Sequence, residues 1–141
     1  MSAVLTGTVP IFAAAVRVFL GLSLIIHGYP KVKGGWRQSA QWMRGMGVPG
    51  VTAVFATVIE FFGGLLLVFG FLVPVVAMFA ALQFAAIAVV KKVKMHASYV
   101  SFTPGSATYE IDAFYLALAA VLVFVGAGVL SIDSVLGIGP L

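Results

Sequence analysis

Residues 58–72 read VIEFFGGLLLVFGFL, from Val58 to Leu72, and every one except Glu60 is apolar or glycine. Hydrocarbon accepts a run of that composition, yet the run carries one carboxylate where a bare charge is costly. From residue 51 to residue 90 Glu60 is the single charged side chain, in a stretch too long for one membrane crossing of about 20 residues. Gly70 and Pro74 divide it, because glycine ends one helix and proline suits the first turn of the next. They predict a tight hairpin of two spans, from about Val51 to Phe71 and from about Pro74 to Val90.

Two further apolar stretches flank the hairpin, from about Val9 to Gly28, closed by Pro30, and from about Tyr109 to Gly128. The whole chain of 141 residues is 62% hydrophobic and 9% charged, with a mean hydropathy of +1.18. A soluble fold of that size has too little polar surface to cover itself. The expected fold is therefore all-α, an integral membrane antiparallel four-helix bundle forming one domain over residues 1–141. Residues 1–10 hold no lysine or arginine and Arg17 interrupts the first apolar stretch, so this span is expected to be retained rather than cleaved as a signal.

The net charge of +4 is a topology signal and not a nucleic-acid footprint. Lys31, Lys33, Arg37 and Arg44 fall between Tyr29 and Gly50, and Lys91, Lys92 and Lys94 between Lys91 and Thr108. The N-terminal segment, the hairpin and the C-terminal tail hold no lysine or arginine. With four spans both basic loops lie on one side, which the positive-inside rule makes cytoplasmic, leaving both termini outside. The expected setting is a prokaryotic cell membrane, with the bilayer as partner and no nucleic acid.

Depth counting at 1.5 Å per residue puts Arg17 about 12 Å and Glu60 about 15 Å from the outer ends of their spans. Sharing a level, the two are expected to pair. Small residues share their faces: Ala53, Ala56, Thr57, Gly63 and Gly64 around Glu60, and Ala13, Ala14 and Gly21 around Arg17. Such faces let membrane helices approach closely, so Gly21, Gly63 and Gly64 are packing candidates and both charges point into the bundle. Gln83 falls at a similar depth, and Ala77, Ala81, Ala85 and Ala88 form a small stripe on its span. A buried pair of this kind serves equally to fix helix register or to handle a ligand or protons.

A polar rim gathers at the basic end. His27 and Lys31 close the first span, while Tyr109, Glu110 and Asp112 open the fourth. The helix dipole alone favours Glu110 and Asp112 there, and Lys31 can snorkel to head groups. Histidine exchanges protons near neutral pH and hydrogen-bonds carbonyl groups, which makes His27 a candidate with Arg17, Glu60 and Gln83 for ligand binding or proton relay. The chain has no cysteine, which excludes thiol and disulfide chemistry. Its two histidines, His27 and His96, have no carboxylate at ligand spacing, so no metal site is expected. Trp36 and Trp42 flank arginines in GGWRQSAQWMRGMGVPG, which reads as a short amphipathic helix on the membrane surface.

RVFLGLSLIIHGYPKVKGG, VIEFFGGLLLVFGFLVP, YEIDAFYLALAA and GAGVLSID, in that order, resemble the DoxX family of small membrane proteins. The resemblance runs from about Arg17 to Asp133 and carries over Arg17, His27, Gly28, Lys31, Glu60, Gly63, Gly64, Glu110 and Asp133. It implies a four-helix membrane protein, accessory to a quinone-linked redox or respiratory complex, with a quinone as the cofactor to test. Any enzymatic activity is expected to belong to a quinone-dependent oxidoreductase of which this chain is one part. Two alternatives stand beside that reading, a non-catalytic scaffold or chaperone and an oligomeric transporter of small molecules. Small-residue faces left over on the third and fourth spans suit other membrane subunits or a homo-oligomer.

Overall fold

The computed structural model describes residues 2–138, so residue 1 and residues 139–141 of the expected domain lie outside it. Helix α1 spans Ser2–Pro30. The chain then kinks through Lys31–Gly35, where Gly34 takes φ 118°, into the short helix α2, Trp36–Gly45. Helix α3 is Thr52–Phe69, α4 Val73–Lys94, α5 Glu110–Val125 and α6 Ile132–Leu136. Among the described residues the one β pairing is an isolated bridge between Ser98 and Thr108.

The long helices pack as an antiparallel bundle whose outward faces are strongly apolar. Phe12, Phe19, Phe55, Leu82 and Phe124 are exposed by 62% or more, a surface that a soluble monomer does not carry. The interior holds Leu20, Leu24, Leu67, Val73, Ala77, Ala80, Ala119 and Leu122. On α4 the buried face is Val76, Ala77, Ala80 and Phe84, whereas Ala81, Ala85 and Ala88 of the expected stripe are half-buried.

Helices α1 and α3 meet backbone to backbone. A Cβ on Gly21 would lie 2.8 Å from the Gly64 carbonyl oxygen, and a Cβ on Gly64 would lie 2.8 Å from that of Gly21. One on Gly28 would lie 2.6 Å from the Phe61 nitrogen. This seam fixes the register of the bundle. Gly63 faces the other way, its absent Cβ 3.2 Å from Val76 Cγ1 of α4.

Three helices, α1 (with its continuation), α3 and α4, are long and apolar enough to cross a membrane. Helix α5 has 16 residues, about 24 Å at 1.5 Å per residue, and ends before the expected Gly128. Gly126, at φ 83°, breaks it, and the chain turns back across the hairpin.

The expected Arg17–Glu60 pair does not form. Arg17 sits at the hairpin end of the bundle, donating from Nη1 to the carbonyls of Leu67 (2.9 Å) and Val68 (2.8 Å) and from Nη2 to those of Leu130 (3.0 Å) and Val129 (3.4 Å). The first two are among the last-turn acceptors that a helix leaves open. Gly70, left-handed at φ 73°, ends α3 in a Schellman arrangement, with Phe71 N–H to Leu66 O at 2.9 Å and Gly70 N–H to Leu67 O at 3.1 Å. Asp133 caps the other side of the turn, accepting from the N–H groups of Leu72 (2.8 Å) and Val73 (2.9 Å). One cation thus closes the C-terminus of α3 and one anion the N-terminus of α4, each matched to the local dipole. Counting from hydropathic ends misplaced Arg17, because α1 runs on past the hairpin end of α3 and residue 17 lies level with Leu67 and Val68.

Candidate functional site

Glu60 lies at the opposite, basic end. A π-helical turn, Ile59–Gly63, interrupts α3 there, a feature that recurs at functional positions because it re-aims one side chain. The Glu60 carboxylate is nearly closed to solvent, at 4% side-chain exposure. Oε2 accepts from Lys31 Nζ at 2.5 Å and Oε1 from Gln83 Nε2 at 2.8 Å. Gly28 brings the two helix backbones together at this level, so Lys31, one turn beyond it, reaches across to α3.

A second ion pair stands beside the first. Lys91, at the C-terminal end of α4, donates to Asp112 Oδ2 at 2.6 Å from the first turn of α5. Here too the carboxylate is the more deeply buried partner, at 9% against 24% for the lysine side chain. One turn further along α5, Tyr115 Oη shares a hydrogen bond of 3.0 Å with His27 Nε2, its direction following the imidazole tautomer. The two rings meet edge to face at 5.7 Å, and Tyr115 also lies against Phe84, with ring centroids 4.9 Å apart.

These groups surround a cavity of about 360 Å³ lined by His27, Lys31, Glu60, Lys91, Asp112 and Tyr115 and covered by Ser39, Trp42 and Met43 of α2. Two cations and two anions give it charged walls with no net charge. Beside it runs an apolar groove of about 320 Å³ between α2, α3 and α4, past Phe55, Ile59, Phe79, Leu82, Gln83 and Val90. Trp42, Met43, Ala56 and Ile87 line both spaces. Gln83 belongs to the groove wall and bonds Glu60 of the polar chamber, so it stands on the boundary.

Of the candidates read from sequence, the structure brings together His27, Lys31, Glu60, Gln83 and Asp112 and leaves Arg17 at the far end. Tyr109 stacks edge-on against Tyr99 at 5.5 Å, and neither it nor Glu110 lines the chamber or the groove. Sequence reasoning missed Lys91 as a partner, Tyr115, and the cover provided by α2. Spacing carried part of that signal: Tyr115 is three residues after Asp112, and Lys91 is two helical turns after Phe84. Among the described residues no group of three or more His, Cys, Asp or Glu could hold a metal ion.

Comparison with known proteins bears on the same residues. The DoxX family model matches residues 12–96, which include His27, Lys31, Glu60, Gln83 and Lys91 but stop short of Asp112, Tyr115 and Asp133. The chain is 37% identical over 65 residues to the inner membrane protein YqjF of Escherichia coli (strain K12). That match covers 46% of the chain and 49% of the relative, so the chain spans about half the length of the relative. No solved structure matches. With three helices fit to cross a bilayer and a family match over more than half of its length, the chain is a membrane protein that belongs to the DoxX family.

Proposed function

We propose that this protein is an accessory membrane subunit that holds a quinone-type amphiphile for a quinone-linked redox partner. One observation carries the reading: a chamber with charged walls lies beside an apolar groove, and the two share lining residues. Pockets of such size typically combine apolar walls with a few convergent polar groups. A planar carbonyl-bearing head would sit among Lys31, Glu60, His27 and Tyr115, with its isoprenoid tail along Phe55, Ile59, Phe79 and Leu82. Intramembrane ionisable groups carry a functional prior, and here two pairs and a histidine–tyrosine contact face one space. In this reading the bundle crosses the membrane four times as one domain, α5 serving as the fourth span, with both basic loops in the cytoplasm. The catalytic centre belongs to the partner.

Trp42 lines both spaces and the chain has two tryptophans, so Trp36→Phe leaves one reporter at the site. Titrating that protein in nanodiscs with a decyl-chain benzoquinone should give saturable quenching of Trp42. Introducing Glu60→Gln should weaken binding about tenfold, the scale of one charge-assisted hydrogen bond, while leaving the helical circular dichroism signal in place. Quenching that rises in proportion to quinone in the lipid, without saturation, would sink the proposal.

A further inference from the structure

We infer that the exposed cations of α2 and its neighbours form a binding surface for anionic phospholipid head groups, whatever fills the chamber beneath. The charge balance points there first. Among the described residues Lys31 and Lys91 are taken by Glu60 and Asp112 in the two ion pairs. Lys33, Arg37, Arg44, Lys92 and Lys94 remain at the same end, all of them exposed and none in a salt bridge. Asp133 caps the hairpin end, which leaves Glu110 as the one carboxylate set against these five.

Helix packing gathers the cations onto one surface. Ser39, Trp42 and Met43 of α2 line the chamber together with Lys91 of α4, and Trp42 and Met43 line the groove together with Val90. The last turn of α4, with Lys92 and Lys94, therefore lies beside α2. Arg37, Gln41 and Arg44, four and three residues apart, share one face of α2, and all three are exposed. The residues that line the cavities occupy the opposite face, so a head group held by the arginines stays outside the chamber.

Depth decides the occupant. A cytoplasmic acidic partner is met by cations on a polar surface, whereas these cations alternate with exposed apolar side chains: Tyr29 and Val32 beside Lys33, and Val89 and Val93 beside Lys92. Lys33 Nζ lies 4.8 Å from the Tyr29 ring centroid, and the guanidinium carbon of Arg37 lies 5.5 Å from that of Trp36. Aromatic rings and cations together at the ends of apolar helices mark the level of the lipid head groups. The anion found at that level is the lipid phosphate, which guanidinium groups bind through paired donors. A zwitterionic head group sets an ammonium beside its phosphate, and the five cations repel it. An anionic head group brings no such charge, and a basic cluster of this size at the end of a membrane helix favours it.

Both tryptophans of the chain, Trp36 and Trp42, lie in α2, so chain-brominated lipids that quench tryptophan report the lipid at this surface. The full-length protein is placed in phosphatidylcholine nanodiscs containing either brominated phosphatidylglycerol or brominated phosphatidylcholine, and dilution curves give the relative affinity of the two. At about 0.1 M salt phosphatidylglycerol is expected to bind about fivefold more tightly, the scale of one head-group charge against a surface cation. At about 1 M salt, where exposed charges are screened, the ratio should fall to about one. Arg37→Gln with Arg44→Gln should bring it below about twofold with the helical circular dichroism signal unchanged, and Arg37→Lys with Arg44→Lys should restore most of it. Equal affinity at low salt overturns the inference and returns the patch to an acidic cytoplasmic partner. A preference that survives high salt, or one unchanged in the glutamine variant, overturns it as well. The two salt conditions use the unaltered protein, so a glutamine variant that does not fold leaves them decisive. No quinone enters these measurements, and the proposed function stands or falls separately.

Discussion

Asp133→Ala is expected to cost about 2–5 kcal/mol of stability, the scale of leaving two buried donors without an acceptor at about 1–3 kcal/mol each. Asp133 is 1% exposed and satisfies two N–H groups at the start of α4. Its loss leaves both donors open and removes the anion whose field acts on Arg17, itself 2% exposed. Three backbone positions beside these two caps are tightly constrained. Leu72 and Leu130 hold φ of 51° and 53°, a region that non-glycine residues occupy at a cost. Gly70 cannot take a side chain, because a Cβ there would meet Ser131 and the Arg17 guanidinium. Detergent unfolding followed by far-ultraviolet circular dichroism gives the loss, and a double-mutant cycle gives its origin. Arg17→Met combined with Asp133→Ala should cost less than the two separate losses together. Arg17→Met combined with Glu60→Gln should give their plain total, since Arg17 and Glu60 share no partner and occupy opposite ends of the bundle. A coupling above about 1 kcal/mol between Arg17 and Glu60 would contradict the geometry.

The contrast between these two cycles marks what the sequence could and could not yield. The hairpin was legible because Gly70 and Pro74 punctuate an apolar run, a signal local to five residues. The pairing of charges was not, because it depends on the sliding register of two helices, and hydropathy gives span ends only to within a turn or two. The glycines held better information. Gly21 meets Gly64 and Gly28 meets Phe61, so a residue at position 60 on α3 faces the Gly28–Lys31 end of α1, not Arg17. Reading the close-approach residues as register marks leads to Lys31 as the partner of Glu60. Asp133 is a different case. It lies 60 residues from Val73, in a segment with no periodicity, and nothing local announces that it caps a distant helix. The cover over the chamber was half legible: the amphipathic pattern of Trp36–Gly45 is plain, but its face toward the cavity is set by the kink at Gly34.

If register is fixed by glycine, then Gly28→Val should be among the most damaging single changes outside the hairpin network, at about 3 kcal/mol, with Gly28→Ala costing roughly half of that. The reason lies in what the new atoms strike. At Gly28 the obstacles are backbone, Phe61 N at 2.6 Å and Glu60 C at 3.0 Å, which move only if α1 and α3 part. Gly63→Ala should be milder, since its obstacle is the Val76 side chain at 3.2 Å, which can rotate. Gly45→Ala, with nothing within 4 Å, should be neutral or stabilising by up to about 1 kcal/mol through helix propensity. Thermal unfolding of the four variants in one detergent tests the order. Gly28 also sits one turn from Lys31, so parting the helices should separate Lys31 from Glu60 and weaken quinone binding, an effect Gly63→Ala should not share. A Gly28→Ala protein as stable and as well able to bind as its parent would mean that the α1–α3 seam does not set the chamber, and the site would have to be built from α4 and α5 instead.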